Sequence, residues 1–380
     1  MQKYELDSFE LSQAHLFFWD KLEKANWFLE QILSTLNEPL EGRLMQRLLG
    51  EPLSDGGQWD MVHNLVEKYG LVPQALYPDS FSARSSSVLN SLIFTKLREF
   101  ALKLRWLAAE KSSCGSIEET VAYMETVKAD MVRQIHSILV TTLGPPPAVD
   151  AEFTWEFVDR TGRARRVRTT PKAFARDIYT PKFGVTASDV AGMVSLVDDP
   201  RNPAMFPLEV ERLGNVVGGR GVRYTNVDMA TLKRACVAQL RAGIPVFFGC
   251  DVGKFSGRDS GVMDTALIDY TLGFGPAAGD MHAMSKQERL QAGESAMTHA
   301  MVLTAVHVDE KTGETVRWRV QNSWGEDAGS AGWFVMTDRW MDEFVYQAVI
   351  DSRFLSKQVR DVAKGNAIVL PLWDPMGSLA

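Results

Sequence analysis

The amino-acid sequence predicts an α+β fold, because helical patterns fill the first part of the chain and strand patterns fill the last third. Apolar residues recur at helical spacing over residues 11–36 and again over 61–69, where Gly70 is a suitable C-terminal cap. Further helices are predicted at 96–111 and at 117–143, the second of which is ended by a glycine and three prolines.

Strand patterns begin with a hairpin, predicted at 153–158 and 163–169 around a polar turn. Helices are predicted next at 171–179 and 229–241. The remaining strands are predicted at 245–249, 300–308, 315–321 and 332–337. The last segment, 371–380, contains two prolines and a tryptophan without helical periodicity, which predicts an extended arm docked on a surface.

Composition limits the class of protein. The chain has 380 residues, 45% hydrophobic and 23% charged, as globular proteins do, and its net charge of −7 gives no overall attraction to nucleic acid or to an anionic membrane. The sequence has no run of about 18 apolar residues that would predict a membrane span. The absence of a leader pattern and the presence of only three cysteines favour a cytoplasmic location. Metal-binding motifs and a phosphate loop are absent, so no metal or cofactor is expected.

The clearest chemical signal is a histidine that opens one predicted strand and an asparagine that follows another. His299 and Asn322 are 23 residues apart. A carboxamide can accept a hydrogen bond from one ring nitrogen and fix the tautomer, which leaves the other nitrogen as a general base or the partner of a thiolate. Trp324 would keep water away from that bond. The alternative is a core histidine and an ordinary Asn-Ser turn, which is favoured for His299 alone but not for the combination.

Asn322-Ser323-Trp324-Gly325 after His299-Ala300 resembles the papain-type cysteine proteases, and further segments match their bleomycin hydrolase (aminopeptidase C) branch. The segments that carry the resemblance lie at 10–13, 16–21, 55–61, 67–70, 248–254, 293–295, 297–301, 322–327 and 373–377. Each segment is short, but their number and their order along the chain make the resemblance specific.

The resemblance implies a papain-like fold, with a helical half, an antiparallel β half and large insertions. It implies that 1–80 is a remnant of the helical half and that 81–240 is an inserted helical or hook region. Residues 241–355 would form the β-rich half with the catalytic residues, and 356–380 a C-terminal arm directed to the active site. The implied activity is that of a cysteine-type aminopeptidase with a Cys-His-Asn unit, in which His299 and Asn322 match the family's histidine and asparagine.

The resemblance also implies substrate contacts. Glycines let a substrate backbone approach closely, so Gly56 and Gly57 are expected to pair with the substrate main chain, although an ordinary Asp-Gly-Gly turn is an alternative. The carboxylate of Ala380 is expected to bind the free α-amine of the substrate. Trp324 is expected beside the substrate and the catalytic pair.

The nucleophile has no match in this chain. In the family it lies in a Gly-Arg-Cys-Trp segment upstream of the segment matched by 10–13, so an N-terminally truncated chain is expected. Cys114 lies in a predicted polar loop, Cys236 on an amphipathic helix and Cys250 after an apolar strand, and none of the three is expected to replace the missing thiol. The alternative function is therefore a catalytically inactive form that acts as an assembly or binding protein.

Partners are expected to be peptides or small amides and, from the resemblance, further copies of the chain in a hexamer. Five arginines within 160–168 form a basic cluster. A nucleic acid or an acidic partner is one interpretation of this cluster, and a solvated hairpin is the favoured one.

Overall fold

A computed structural model describes residues 2–111, 116–178, 184–278 and 283–378 of the chain. The chain divides into two compact units. The first, here called the helical unit, comprises Met1–Ala187 and Gly214–Gly221, and the second, here called the sheet unit, comprises Ser188–Leu213 and Val222–Ala380. The functional division of the chain at residues 80, 240 and 355 stays a prediction.

The helical unit is built around one long buried helix. Its helices are α1 Gln13–Ser34, α2 Arg43–Gly50, α3 Trp59–Tyr69, α4 Phe81–Arg84, α5 Ser87–Lys111, α6 Ile117–Leu143 and α7 Pro171–Ile178. Its strands, β1 Phe153–Val158 and β2 Ala164–Thr169, form an antiparallel hairpin. Helix α1 packs against α3, α5 and α6, and Phe18, Leu29 and Ile32 on it are fully buried.

The sheet unit holds an eleven-stranded sheet among the described residues. Its strands are β3 Val194–Val197, β4 Phe206–Val210, β5 Tyr224–Asn226, β6 Val246–Cys250, β7 Ser256–Gly257, β8 Val262–Met263, β9 His299–Val308, β10 Thr315–Gln321, β11 Trp333–Thr337, β12 Val345–Ile350 and β13 Ile368–Leu370. The strand order is β13-β4-β5-β3-β12-β6-β9-β10-β11-β8-β7. The helices are α8 Ala187–Ala191, α9 Met229–Arg241, α10 Tyr270–Phe274, α11 Lys286–Ala292, α12 Asp338–Phe344 and α13 Lys357–Val362.

Helix predictions are confirmed where the apolar stripe is unbroken. Helices α6 and α9 have the predicted bounds. Helix α5 begins at Ser87, nine residues before the predicted start, because the buried stripe of Leu89, Ile93 and Leu97 continues upstream. None of the described helices is long and apolar enough to cross a membrane.

The strand and arm predictions need correction. Seven strands of the sheet unit were not predicted, namely β3, β4, β5, β7, β8, β12 and β13. Strand β12 is among them, although all six of its residues are buried. It follows α12 without a break, so its apolar run carries no turn signal at its start. The terminal arm is docked but is not extended throughout, because Pro375–Gly377 forms a 3₁₀ turn in which the Met376 amide donates to the Asp374 carboxylate at 2.9 Å.

The arginines of 160–168 lie on the β1–β2 hairpin, and most of them face carboxylates. Arg166 pairs with Glu156 at 2.5 Å, and Arg168 pairs with Glu152 at 2.7 Å. Arg165 lies 3.3 Å from Asp159. These ion pairs partly neutralise the cluster, which favours the interpretation as a solvated hairpin. A contact with nucleic acid, the less favoured interpretation of the cluster, stays untested.

Candidate active site

The ends of two neighbouring strands bring His299 and Asn322 together. Strand β9 begins at His299, and β10, its antiparallel neighbour, ends at Gln321. The next residue is Asn322, whose Oδ1 lies 2.9 Å from Nε2 of His299. An antiparallel ladder places the start of one strand beside the end of the next, which is why residues 23 apart in sequence meet.

The hydrogen bond at Asn322 defines the tautomer of the neutral imidazole. Oδ1 of Asn322 also accepts from the Ser323 amide at 2.8 Å, which identifies it as the carbonyl oxygen of the side chain. An oxygen that only accepts requires Nε2 of His299 to carry the proton. The Nδ1 atom is therefore left with a lone pair for proton transfer.

Trp324 lies against this pair. The indole and the imidazole have ring centroids 5.0 Å apart and are tilted by 33°. Phe334 meets the same indole edge-on at 6.0 Å, and the Arg258 guanidinium lies 5.7 Å from its centroid. Since Asn322 is 8% exposed, the His299–Asn322 bond lies in a largely water-excluded environment, where a hydrogen bond is stronger than in water.

Sequence reasoning missed a buried polar group behind His299. Asp251 directly follows β6, and its carboxylate accepts hydrogen bonds from Ser295 at 2.8 Å and from Thr298 at 3.4 Å. Both donors precede His299 by only a few residues. The available signal was that 248–254 and 293–295 both carry the resemblance, but nothing in their local patterns places them in contact.

The two described cysteines are not suited to act as the nucleophile. Cys250 is the register partner of His299 across β6 and β9, but it is fully buried in the sheet unit's core. Burial raises the pKa of the Cys250 thiol well above its usual range, and burial likewise raises the pKa of Cys236. The thiol form is inert, because the thiolate is the nucleophile. Cys114 lies outside the described residues.

The predicted substrate residues are placed as follows. Gly56 and Gly57 lie in the helical unit between α2 and α3, where Lys24 donates to the Gly56 carbonyl oxygen. A Cβ atom added at Gly57 would meet no described atom within 4 Å, so the backbone is open there. Ala380 lies outside the described residues.

The arm that leads toward Ala380 is anchored within the sheet unit. The Arg201 guanidinium lies 2.8 Å from the carboxylates of both Asp199 and Asp374. The buried Tyr224 hydroxyl donates to the Met376 carbonyl oxygen at 3.0 Å. The anchoring of this segment is consistent with a docked arm rather than a frayed end.

One further contact places the arm beside the start of β9. The Ser378 hydroxyl donates to the Met297 carbonyl oxygen at 2.9 Å, two residues before His299. The last described residue of the arm therefore lies next to the segment that enters β9.

The site supports acid–base chemistry by a positioned imidazole. No group of three metal-ligating side chains is found within the described ranges. A histidine whose Nε2–H is held by an asparagine carboxamide, beside an indole, is the arrangement expected for the acid–base part of a cysteine peptidase site.

Comparisons with known proteins agree with this class. A model of the Peptidase C1-like family matches residues 1–377. "Cysteine proteinase 1, mitochondrial" of Saccharomyces cerevisiae (strain ATCC 204508 / S288c) is 43% identical over 385 residues, which cover 100% of this chain and 76% of that protein. "Bleomycin hydrolase" of Homo sapiens is 40% identical over 386 residues, which cover 100% of this chain and 81% of that protein.

A solved structure extends the likeness to the fold. The crystal structure of pepw from lactobacillus rhamnosis hn001 (dr20) matches with a TM-score of 0.90 and 42% identity, over 100% of this chain and 81% of that chain. This chain belongs to the Peptidase C1-like family. The predictions of a papain-like α+β fold and of a cysteine-type aminopeptidase of the bleomycin hydrolase branch are confirmed.

Proposed function

We propose that this chain supplies the acid–base part of a peptidase that hydrolyses N-terminal peptide bonds and related amides, with His299 as acid and base and Asn322 as its positioning residue. The observation that carries this proposal is the 2.9 Å contact between Nε2 and Oδ1. It leaves Nδ1 of the neutral ring free to receive a proton from a thiol, and the resulting thiolate and imidazolium form the reactive pair.

In the proposed reaction the thiolate attacks the carbonyl carbon of the scissile amide. The imidazolium of His299 then gives its Nδ1 proton to the leaving amine, and the C–N bond breaks. Water, deprotonated by the neutral imidazole, hydrolyses the acyl-enzyme and regenerates the thiol. Because Cys236 and Cys250 are buried, we assign the thiol to the family's Gly-Arg-Cys-Trp segment, which has no match in this sequence.

Substrate recognition is proposed to involve three further groups. The open backbone at Gly57, with Gly56 beside it, suits close approach of a substrate main chain. A carboxylate at Ala380 would select a free α-amine by a charge-assisted hydrogen bond. Trp324 would exclude water from the catalytic pair.

Peptides are the substrate class that membership of a peptidase family supports. A hexameric assembly and a cytoplasmic location are further proposals. The yeast relative carries the word mitochondrial in its name, so localisation of a fluorescently tagged full chain tests the second of them directly.

The function is tested by comparing two proteins on an aminoacyl fluorogenic amide. One is the 380-residue chain, and the other, here called the extended protein, is the same chain preceded by an N-terminal segment that carries the family's Gly-Arg-Cys-Trp sequence. We expect turnover by the extended protein, its abolition by His299→Ala, and no turnover by the 380-residue chain. His307→Ala, at an exposed histidine on the same strand, is the matched control and should retain activity.

Two results would contradict the proposal. An inert extended protein, with the human relative active in parallel, would favour the inactive binding form. Turnover by the 380-residue chain, abolished by labelling of one of its own cysteines with a thiol-directed inhibitor, would show that the nucleophile has been wrongly assigned.

A further inference from the structure

We propose that Asp251 is a positioning residue for His299, which it holds by fixing the irregular segment that leads into β9. This inference deepens the proposed function and rests on it. Residues 293–298, here called the lead-in, run between the end of α11 and the start of β9 and belong to neither element. The placement of the imidazole at the start of β9 therefore depends on what holds the lead-in.

The Asp251 carboxylate is buried and receives its hydrogen bonds from the lead-in. It is 6% exposed, and within the described part of the chain no lysine or arginine forms an ion pair with it. Its two oxygens accept from Ser295 and Thr298 instead. Burying a carboxylate costs free energy unless the charge is paired or hydrogen-bonded. The buried charge of Asp251 is therefore stabilised only while the lead-in keeps the position in which it donates these hydrogen bonds.

A third side chain completes this network. The Ser295 hydroxyl lies 2.6 Å from the Tyr346 hydroxyl on β12. Since Ser295 donates its proton to Asp251, Tyr346 is the donor to Ser295. Burial raises the pKa of Tyr346 to about 12, so the phenol keeps its proton and its direction of donation near neutral pH. Tyr346 therefore donates to Ser295, and Ser295 donates to the Asp251 carboxylate, which is the charged acceptor of this series of hydrogen bonds.

The lead-in is also fixed on both sides of this network. The Thr298 amide donates to the Cys250 carbonyl oxygen at 3.0 Å, which starts the pairing of β9 with β6. Met297 lies over Gly249 so closely that a Cβ there would be 2.5 Å from the methionine sulfur. Asp251 therefore acts where the irregular segment becomes a strand, directly before His299.

This role differs from that of an ordinary buried carboxylate elsewhere in the sheet unit. Asp351 directly follows β12 and is fully buried. Its carboxylate accepts hydrogen bonds from the backbone amide and from the guanidinium of Arg353. Its contacts are with the turn after β12 and not with the lead-in. Asp351→Asn is therefore a matched control, because it removes a buried charge without touching the approach to His299.

The test uses the 380-residue chain labelled with ¹⁵N in its histidine rings. The His299 signals are assigned by their loss in His299→Gln. In the wild type we expect the Nε2–H tautomer, with slow exchange of that proton with water. In Asp251→Asn we expect a mixture of tautomers and proton exchange at least about tenfold faster, because weakening hydrogen bonds to a charged group loosens the lead-in. In Asp351→Asn the melting temperature falls while the His299 signals stay as in the wild type.

Two results would overturn the inference: unchanged His299 signals in Asp251→Asn, or an equal change in Asp351→Asn. If Asp251→Asn does not fold, Thr298→Val decides the question by the same readout, since it removes one donor to the carboxylate from an exposed residue. The proposed function has its own control. If Asn322→Ala leaves the His299 signals unchanged, the His299–Asn322 pair itself is absent in solution, and the inference is refuted with it.

Discussion

Replacing Asn322 by alanine in the extended protein removes the acceptor that lies 2.9 Å from Nε2 of His299. The bond is charge-assisted when the ring is protonated, and such bonds contribute about 1.5–3 kcal/mol. Since about 1.4 kcal/mol corresponds to a tenfold change in rate, we expect kcat/KM to fall about ten- to hundredfold. The loss should be mainly in kcat, because Asn322 acts on the ring and not on the substrate.

The assay is hydrolysis of an aminoacyl fluorogenic amide under initial-rate conditions, with the melting temperature measured on the same samples. The loss of kcat should exceed any change explained by unfolded protein. The reasoning is refuted if a folded Asn322→Ala protein retains kcat/KM within twofold of the wild type. It is also refuted if the loss appears wholly as a raised KM, because that would place Asn322 in substrate binding.

Three further predictions concern stability and the arm. Gly249→Ala should lower the free energy of unfolding in urea by about 1–3 kcal/mol, because the new Cβ would lie 2.5 Å from a methionine sulfur, and an unchanged midpoint would contradict this packing. Burial lowers the pKa of His15 below its ordinary value of about 6.5, so the unfolded chain binds the proton first as pH falls. Unfolding free energy should therefore decrease below about pH 6.5, by at most about 1.4 kcal/mol per pH unit, and His15→Gln should remove that part of the slope. Arg201→Met should release Asp374 and speed hydrogen exchange over 374–378. The extended protein that carries this substitution should discriminate less between free and acetylated substrate amines. Exchange at the wild-type rate would show that other contacts hold the arm.

Local patterns in the sequence were sufficient for much of the fold. Helix α6 and strand β10 lie at their predicted bounds, because each has an unbroken period of apolar residues and polar residues at its ends. The pairing of His299 with Asn322 was also predictable, since both residues lie at strand ends that a short antiparallel connection brings together.

Other features depend on contacts between distant segments. Strand β12 is buried along its whole length between β3 and β6, including the polar Gln347, so its sequence lacks the alternation that marks a half-buried strand. The inertness of Cys250 is likewise a tertiary property. Its register opposite His299 would suggest a reactive pair, but its burial keeps the thiol protonated.

The sequence by itself determined the class of the fold, the longest helices, the strands that carry His299 and lead to Asn322, and the family. These depend on residue periodicity and on short segments that can be read locally. Only the tertiary structure decided that Asp251 and Ser295 meet behind His299 and that Ser378 lies on the same lead-in. Such contacts join residues 44 and 81 positions apart, and they exist because the sheet brings those segments together, which no local pattern encodes.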